Sequence, residues 1–397
     1  MSVTDSTSGD FSGTFSNTMI SGNSIVLSTA QTSGTYTSRV MDVFCGGLTN
    51  WYSVSWKTTI PYEKELTPTS EVSTDYTSAT GTLMNSISTY YNFNETVANS
   101  AMGGNDFQDR SGNSRHATET NLSAYGVTGK LIRAARFNGT SSYVNVPTTV
   151  ASTSKNYTFS TWLKTSTTAQ GYSFDAQDGS NRIIIAPYCG ASCSTTGKIG
   201  VGFGATVGTI PSSTVNSPND GAWHHLVVTL DATSGNAIIY LDGSNVYTYT
   251  TYGTGYNIGS AIKIGARYDG SNWYFNGDLD EYAIWNRVLS AAEVLNLYRR
   301  GANRVRFQFR SCTSTTCADA PAWRGPNGTN TTYFSELYNN SVQLAQTGDA
   351  LYTVPFMLFS NFTSFAIPSN RYFQYQLTLQ TDNVTYSPDL IYIRSNR

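Results

Sequence analysis

Gly277-Asp278-Leu279-Asp280-Glu281-Tyr282-Ala283-Ile284-Trp285-Asn286-Arg287-Val288-Leu289-Ser290, running on through Ala291-Ala292-Glu293-Val294-Leu295-Asn296-Leu297-Tyr298-Arg299-Arg300 to Gly301, reads as one strand followed by one short helix. Alternation from Leu279 to Trp285 sets Asp280, Tyr282 and Ile284 on one face and Leu279, Glu281, Ala283 and Trp285 on the other. Both faces carry apolar side chains. Ser290 followed three residues later by Glu293 is a capping box, and Gly301 stands where a helix ends in a left-handed residue. Val294, Leu295 and Tyr298 give the helix one buried side.

Working outward, every long periodic stretch upstream of this helix has period two. Tyr157 to Lys164, Arg182 to Pro187, Trp223 to Leu230, Ile238 to Leu241 and Ala261 to Arg267 read as strands. Asp231 to Asn236 and Asp242-Gly243 read as turns between them. This pattern predicts two packed antiparallel sheets. The closing run, with its Gly-x-Leu-Asp-Glu-x-x-x-Trp-x-Arg-x-Leu-Ser form, resembles the last segment of laminin G-like, concanavalin A-like jelly-roll domains. Trp223 to Leu230 with Ile238 to Gly243 resembles the family's central meander. Asp109-Arg110-Ser111-Gly112-Asn113, Gly129-Lys130 and Arg136 to Val144 resemble its opening strands. The resemblance covers residues 83 to 301.

The flanks have a different texture. Residues 1 to about 35 are rich in Ser, Thr and Gly and read as a loosely packed lead-in with one or two edge strands. Gly34 to Val43 and Trp51 to Lys57 are strands, Leu66 to Thr82 a linker. Beyond the jelly roll, Arg304 to Arg310, Arg371 to Leu379 and the segment ending at Ile393 are strands. Neither flank holds enough strands for a sandwich alone. The expected fold is all-β, a jelly-roll β-sandwich inserted into a second, discontinuous β-sandwich. Its divisions are residues 1–82, 83–301 and 302–397, with two independent flanking domains as the rival arrangement. Gly34 to Trp56, Gly325 to Thr329 and Arg371 to Tyr375 also resemble exported prokaryotic surface proteins.

Charged residues make up 13% of the chain and the net charge is −2, which argues against a nucleic-acid partner. No apolar run has the length of a membrane span, and Met1 to Asp5 lacks the basic and apolar regions of a signal peptide, as in a mature or excised form. Of five cysteines, Cys189/Cys193 and Cys312/Cys317 sit in small-residue turns and read as short-loop disulfides, leaving Cys45 over. Zinc is the competing reading, opposed by the lack of a nearby His. Asn-x-Ser/Thr triplets recur from Asn94 to Asn383 and permit glycosylation of an exported protein.

Concanavalin A-like glucanases cut sugars with acids spaced Glu-x-Asp-x-Glu on one strand. Here Asp278 and Asp280 share a face but no third acid does, so no enzyme is expected. The resemblance instead implies a structural calcium, held by Asp109, the Asn113 carbonyl and Asp280. The alternative is that Asp109 caps its own turn and Asp280 makes a strand-end hydrogen bond. His224 and His225 face opposite sides of one strand and read as packed or hydrogen-bonded. Tyr252, Tyr256, Tyr268, Trp273 and Tyr274 stand in or beside turns with Asp269 and Asn272, a set that suits a carbohydrate-binding rim as well as a core edge. The expected function is an extracellular or cell-surface, non-enzymatic recognition or adhesion module binding a glycan or a surface protein. The alternatives are a self-assembling subunit of a filament, sheath or surface layer, and an accessory region of a glycan-degrading enzyme.

Overall fold

The computed structural model describes residues 2–42, 51–66, 83–100, 102–147, 150, 153–179, 181–204, 209–259, 261–339, 356–359, 362, 364–365, 367–368 and 370–396. Cys45, Asn361 and residues 67–82 of the expected linker lie outside them. The chain divides into two compact units, one made of residues 1–64, 71–81 and 299–397, the other of residues 65–70 and 82–298.

The second unit is a jelly roll of two antiparallel sheets. An eight-stranded sheet runs Ala124–Thr128, Arg133–Asn138, Asn276–Trp285, Tyr157–Lys164, Trp223–Asp231, Asn236–Leu241, Ser244–Tyr249, and Ile87–Tyr91 also pairs with Asn276–Trp285. The seven-stranded sheet opposite runs Ser212–Asn216, Lys198–Gly204, Asn181–Ala186, Phe174–Asp178, Ala261–Ile264, Tyr143–Asn145, Thr118–Thr120. Alternate residues of each sheet, among them Phe159, Leu163 and Val228 from one and Phe174, Ile183 and Ile262 from the other, fill one core.

Asn276–Trp285 does not keep the simple alternation expected of it. Ser160 pairs with Ala283 but Trp162 with Asp280, so Glu281 and Tyr282 together oppose one residue of the neighbouring strand. Glu281 adopts φ +53°, the left-handed conformation of a bulge residue. The extra residue moves Leu279 onto the face of Tyr282 and Ile284, in the core. Asp280 is therefore on the opposite face from the one it would share with Tyr282 in a regular strand.

Ala283 and Trp285 point the other way, into a second apolar layer with Val227, Tyr240, Val294 and Leu297. The helix Ala291–Ala302 covers that side. Its capping box is closed: Ser290 donates through N and Oγ to Glu293 Oε2 at 2.8 and 2.9 Å, and Glu293 N donates back to Ser290 Oγ. Gly301 is not left-handed. It lies inside the helix, which passes straight into Asn303–Cys312, so no chain reversal calls for a glycine there.

On the same outer side, His225 is buried beside Trp162 and Tyr298, with centroids at 5.0 and 6.2 Å, and its Nε2 meets Ser160 Oγ at 2.9 Å. Burial pushes its pKa down to about 4, with nearby Lys130 acting in the same direction and Asp242 against it. The unfolded chain takes up this proton near pH 6.5 and the folded one does not. Stability from neutral His225 is therefore complete above pH 6.5 and falls as pH drops toward 4, by roughly 3 kcal/mol. His224, held by Asp242 at 2.8 Å and Asp220 at 3.1 Å, is raised and acts with the opposite sign, favouring the folded state at lower pH. Urea unfolding of the native protein and His225→Gln at pH 7.5 and 4.5 separates the two. The native protein should lose more stability than the variant, and equal losses would refute the assignment.

The first unit draws strands from both ends of the chain. Ser2–Asp5 pairs with Tyr392–Asn396, which pairs with Ser53–Lys57; a second sheet joins Thr14–Ser16, Ser33–Thr37, Tyr372–Thr381 and Asn303–Cys312. Their apolar faces share one core around Trp56, Phe307, Phe309 and Tyr375. The jelly roll is thus inserted into a discontinuous β-sandwich. The first 37 residues are more ordered than a loose lead-in: five short strands form, because Phe11, Ile25, Leu27 and Tyr36 are buried anchors spaced along a Ser/Thr-rich segment. Disulfides join Cys189 to Cys193 and Cys312 to Cys317. Among the described residues no helix is long and apolar enough to cross a membrane.

Candidate functional site

The residues between the core-facing positions of the seven-stranded sheet form its outer face. Ile262 and Ile264 point inward, so Lys263 points out; Phe174 and Ala176 leave Asp175 outward; Ile183 and Ile185 leave Arg182 and Ile184 outward; Val144 leaves Tyr143 and Asn145 outward. Register sets Asn145, Lys263, Asp175 and Ile184 in one row across four strands.

Asp175 is the fixed point of this face. It is fully buried, and Arg182 grips it with Nε on Oδ1 at 2.9 Å and Nη2 on Oδ2. Tyr268 N donates to the same Oδ2 at 3.0 Å. Burial raises the Asp175 carboxyl, and the guanidinium and amide work against that. Burial also works to lower Arg182, but the bond to Asp175 and its charge outweigh it and the net shift is upward. The two shifts point in opposite senses for ionising the pair. A two-pronged guanidinium contact on both oxygens decides for the charged form.

Around this pair stand rings and further cations. The Arg182 guanidinium lies 5.0 Å from the Tyr268 ring and 6.0 Å from Tyr172, and that of Arg267 lies 5.2 Å from Tyr268. Lys263 Nζ sits 5.5 Å over Tyr143. Burial lowers the Lys263 ammonium, with Asp269 opposing.

Residues 265–275 fold over one end of this face as a closed loop. Phe275 N bonds Gly265 O, Arg267 N bonds Asn272 O, and Gly270 N bonds Arg267 O. Gly265 needs to be glycine, since at φ +87° a Cβ would sit 2.4 Å from the Phe137 ring. Asp269 accepts from Ser271 N and Oγ, and Tyr274 OH donates to Gly270 O. Trp273 packs on Tyr172 at 6.1 Å and holds φ +55°, a conformation costing a bulky residue about 1 kcal/mol or more. Tyr172 N donates to Trp273 O, which ties the strained residue to the sheet.

Five residues expected to serve a sugar rim, Tyr268, Asp269, Asn272, Trp273 and Tyr274, thus occur together in this loop. Tyr252 and Tyr256 do not join them. Tyr252 is fully buried, its OH donating to Lys155 O and its ring 5.3 Å from Phe203, and Tyr256 packs on that same Phe203. Tyr252 is a core residue and cannot line a rim. Sequence reasoning missed Asp175, Arg182, Lys263, Tyr143 and Tyr172. The signal for Lys263 was present in the alternating Ala261-Ile262-Lys263-Ile264.

Asp278 and the residues expected to hold calcium are engaged by protein groups. Asp278 takes Arg136 Nε at 2.7 Å and Nη2 at 2.9 Å. Asp109 accepts from Tyr90 N, Ser111 N and Arg115 N, and Asp280 from Lys130 N, Leu131 N and Glu281 N. The Asn113 amide donates to Ile87 O and Ser88 O, and the Arg115 guanidinium also takes Ser88 O. Asp109 and Asp280 are held by different segments, and a guanidinium fills the oxygen cluster beside Asn113. Asp109, Asn113 and Asp280 therefore do not fit a calcium ion as one set; Asp109 bonds its own turn as in the alternative reading, whereas Asp280 lies within its strand and takes the N–H groups of Lys130 and Leu131. Among the described residues no group of three His, Cys, Asp or Glu side chains converges.

Residues 138–295 match the family model Laminin_G_3, described as the concanavalin A-like lectin/glucanases superfamily. Human Pentraxin-4 is 34% identical over 86 residues, covering 20% of this chain and 18% of that protein. Human Neuronal pentraxin-2 is 31% identical over 100 residues, covering 21% of this chain and 22% of that protein. The chain spans under a quarter of the length of these relatives. Among solved structures, Domain 4 of AbnA, a GH43 extracellular arabinanase from Geobacillus stearothermophilus in complex with arabinotriose, aligns at TM-score 0.38 with 22% identity, over 53% of this chain and 98% of that one. The receptor-binding domain of botulinum neurotoxin C/D mosaic serotype aligns at 0.42 with 12% identity, over 54% and 51%.

Proposed function

We propose that this chain is a non-enzymatic carbohydrate-recognition protein acting outside the cell or at its surface, with the 265–275 loop and the outer face beneath it as the binding surface. The observation that carries this is the convergence of Tyr268, Asp269, Asn272, Trp273 and Tyr274 in one loop braced by Asp175 and Tyr172. Aromatic faces suit the apolar side of a pyranose, and amide and carboxylate groups suit its hydroxyls. The carboxylates on the neighbouring strands are bonded to guanidinium or backbone N–H groups, which favours binding over hydrolysis. The two disulfides suit an oxidising compartment.

A glycan array on the intact chain tests this. Binding to a defined sugar should fall by about tenfold or more in Trp273→Ala, the equivalent of ~1.4 kcal/mol, with the fold unchanged by circular dichroism. A protein blind to every glycan, or one whose binding ignores Trp273, would remove the basis for the reading.

A further inference from the structure

We infer that the sugar this face takes is acidic, one bearing a single carboxylate or sulfate group, and that Lys263 is the residue that meets its charge; this rests on the carbohydrate-binding reading above. Lys263, Arg182 and Arg267 gather around Asp175 and the 265–275 loop, with Asp175 and Asp269 as the opposing charges. Three cations against two carboxylates leave one positive charge.

The two carboxylates are not equally available to Lys263. Both oxygens of Asp175 are bonded to Arg182, and Tyr268 N takes a further position. Asp269 lies 3.7 Å from Arg267 and accepts from Ser271. Lys263 is partly buried on the sheet, directly across from Asp175, over the Tyr143 ring. Among the described residues no hydrogen-bond or ion-pair acceptor reaches its ammonium. An ammonium partly removed from water and lacking an acceptor is costly, and an incoming anion recovers that cost.

Calorimetric titration of the whole chain tests this with galacturonate and sialyllactose as carboxylate probes, a monosulfated lactose as the sulfate probe, and lactose as the neutral control. At least one acidic probe should bind about tenfold or more tightly than lactose, and that preference should weaken as salt is raised. Which acidic probe binds separates carboxylate from sulfate. In Lys263→Gln the preference should disappear while thermal stability persists, and Lys263→Arg should retain it. Lactose binding as tightly as the acidic probes, or a preference indifferent to Lys263→Gln, overturns the inference and leaves carbohydrate recognition standing. Binding to no sugar at all overturns both.

Discussion

Replacing Trp285 with alanine lowers the stability of the jelly roll by about 4 kcal/mol, the upper range for deleting a large buried aromatic. Trp285 is fully buried, and its Nε1 donates to Leu83 O at 2.6 Å, tying the last strand of the sheet to the segment that enters the domain. Around it lie Leu83, Ile87, Leu289 and Val294, so the ring is the centre of the layer between sheet and helix. Two losses add: the cavity left by the indole, and a carbonyl stripped of its donor. Urea unfolding followed by far-ultraviolet circular dichroism measures the effect. Trp223→Ala, at a partly buried position two strands away in the same sheet, is the control and should cost far less. Similar losses at the two positions would mean that the helix layer adds little to the domain.

That layer was legible in the sequence because its cues are local. Ser290 and Glu293 close a capping box that needs only three residues of separation, and the period-two strands hold over most of the jelly roll. What failed depended on partners far away in the chain. The bulge at Glu281 follows from pairing with the strand around Thr161, and nothing within Leu279 to Trp285 announces it. Tyr252 sits in a turn-rich stretch, as a surface residue would, and its burial follows from Phe203 and the Lys155 carbonyl.

The outer face was hidden for a related reason. Arg182-Ile183-Ile184-Ile185 looks like a strand buried on both sides, and it is: Ile184 is covered by Tyr172, Cys189, Ile210 and Trp273. A small apolar cluster beneath the disulfide loop thus abuts the charged one around Arg182. Only the assembled sheet shows that Asp175, Lys263 and Arg182, up to 88 residues apart in sequence, share a surface.

Asp175→Ala is the second large effect, and it separates folding from recognition. Removing the carboxylate leaves the Arg182 guanidinium, only 13% exposed, without its partner, and stability should fall by roughly 3–5 kcal/mol. The Tyr268 amide loses its acceptor as well, which loosens the 265–275 loop at its anchor. In Asp175→Ala/Arg182→Leu the unpaired charge is gone and an apolar side chain lies against Tyr172 and Tyr268 in its place. Most of the lost stability should return, because a buried ion pair stabilises little beyond a well-packed apolar pair. Sugar binding should not return with it: the loop still lacks the carboxylate that seats Tyr268. Chemical denaturation and calorimetric titration on the same three proteins read both outcomes. If the double variant stays as unstable as Asp175→Ala, the cost lies in the loop anchor and not in the stranded charge. If it regains binding along with stability, the Asp175–Arg182 pair is scaffold alone and the site does not depend on how it holds Tyr268.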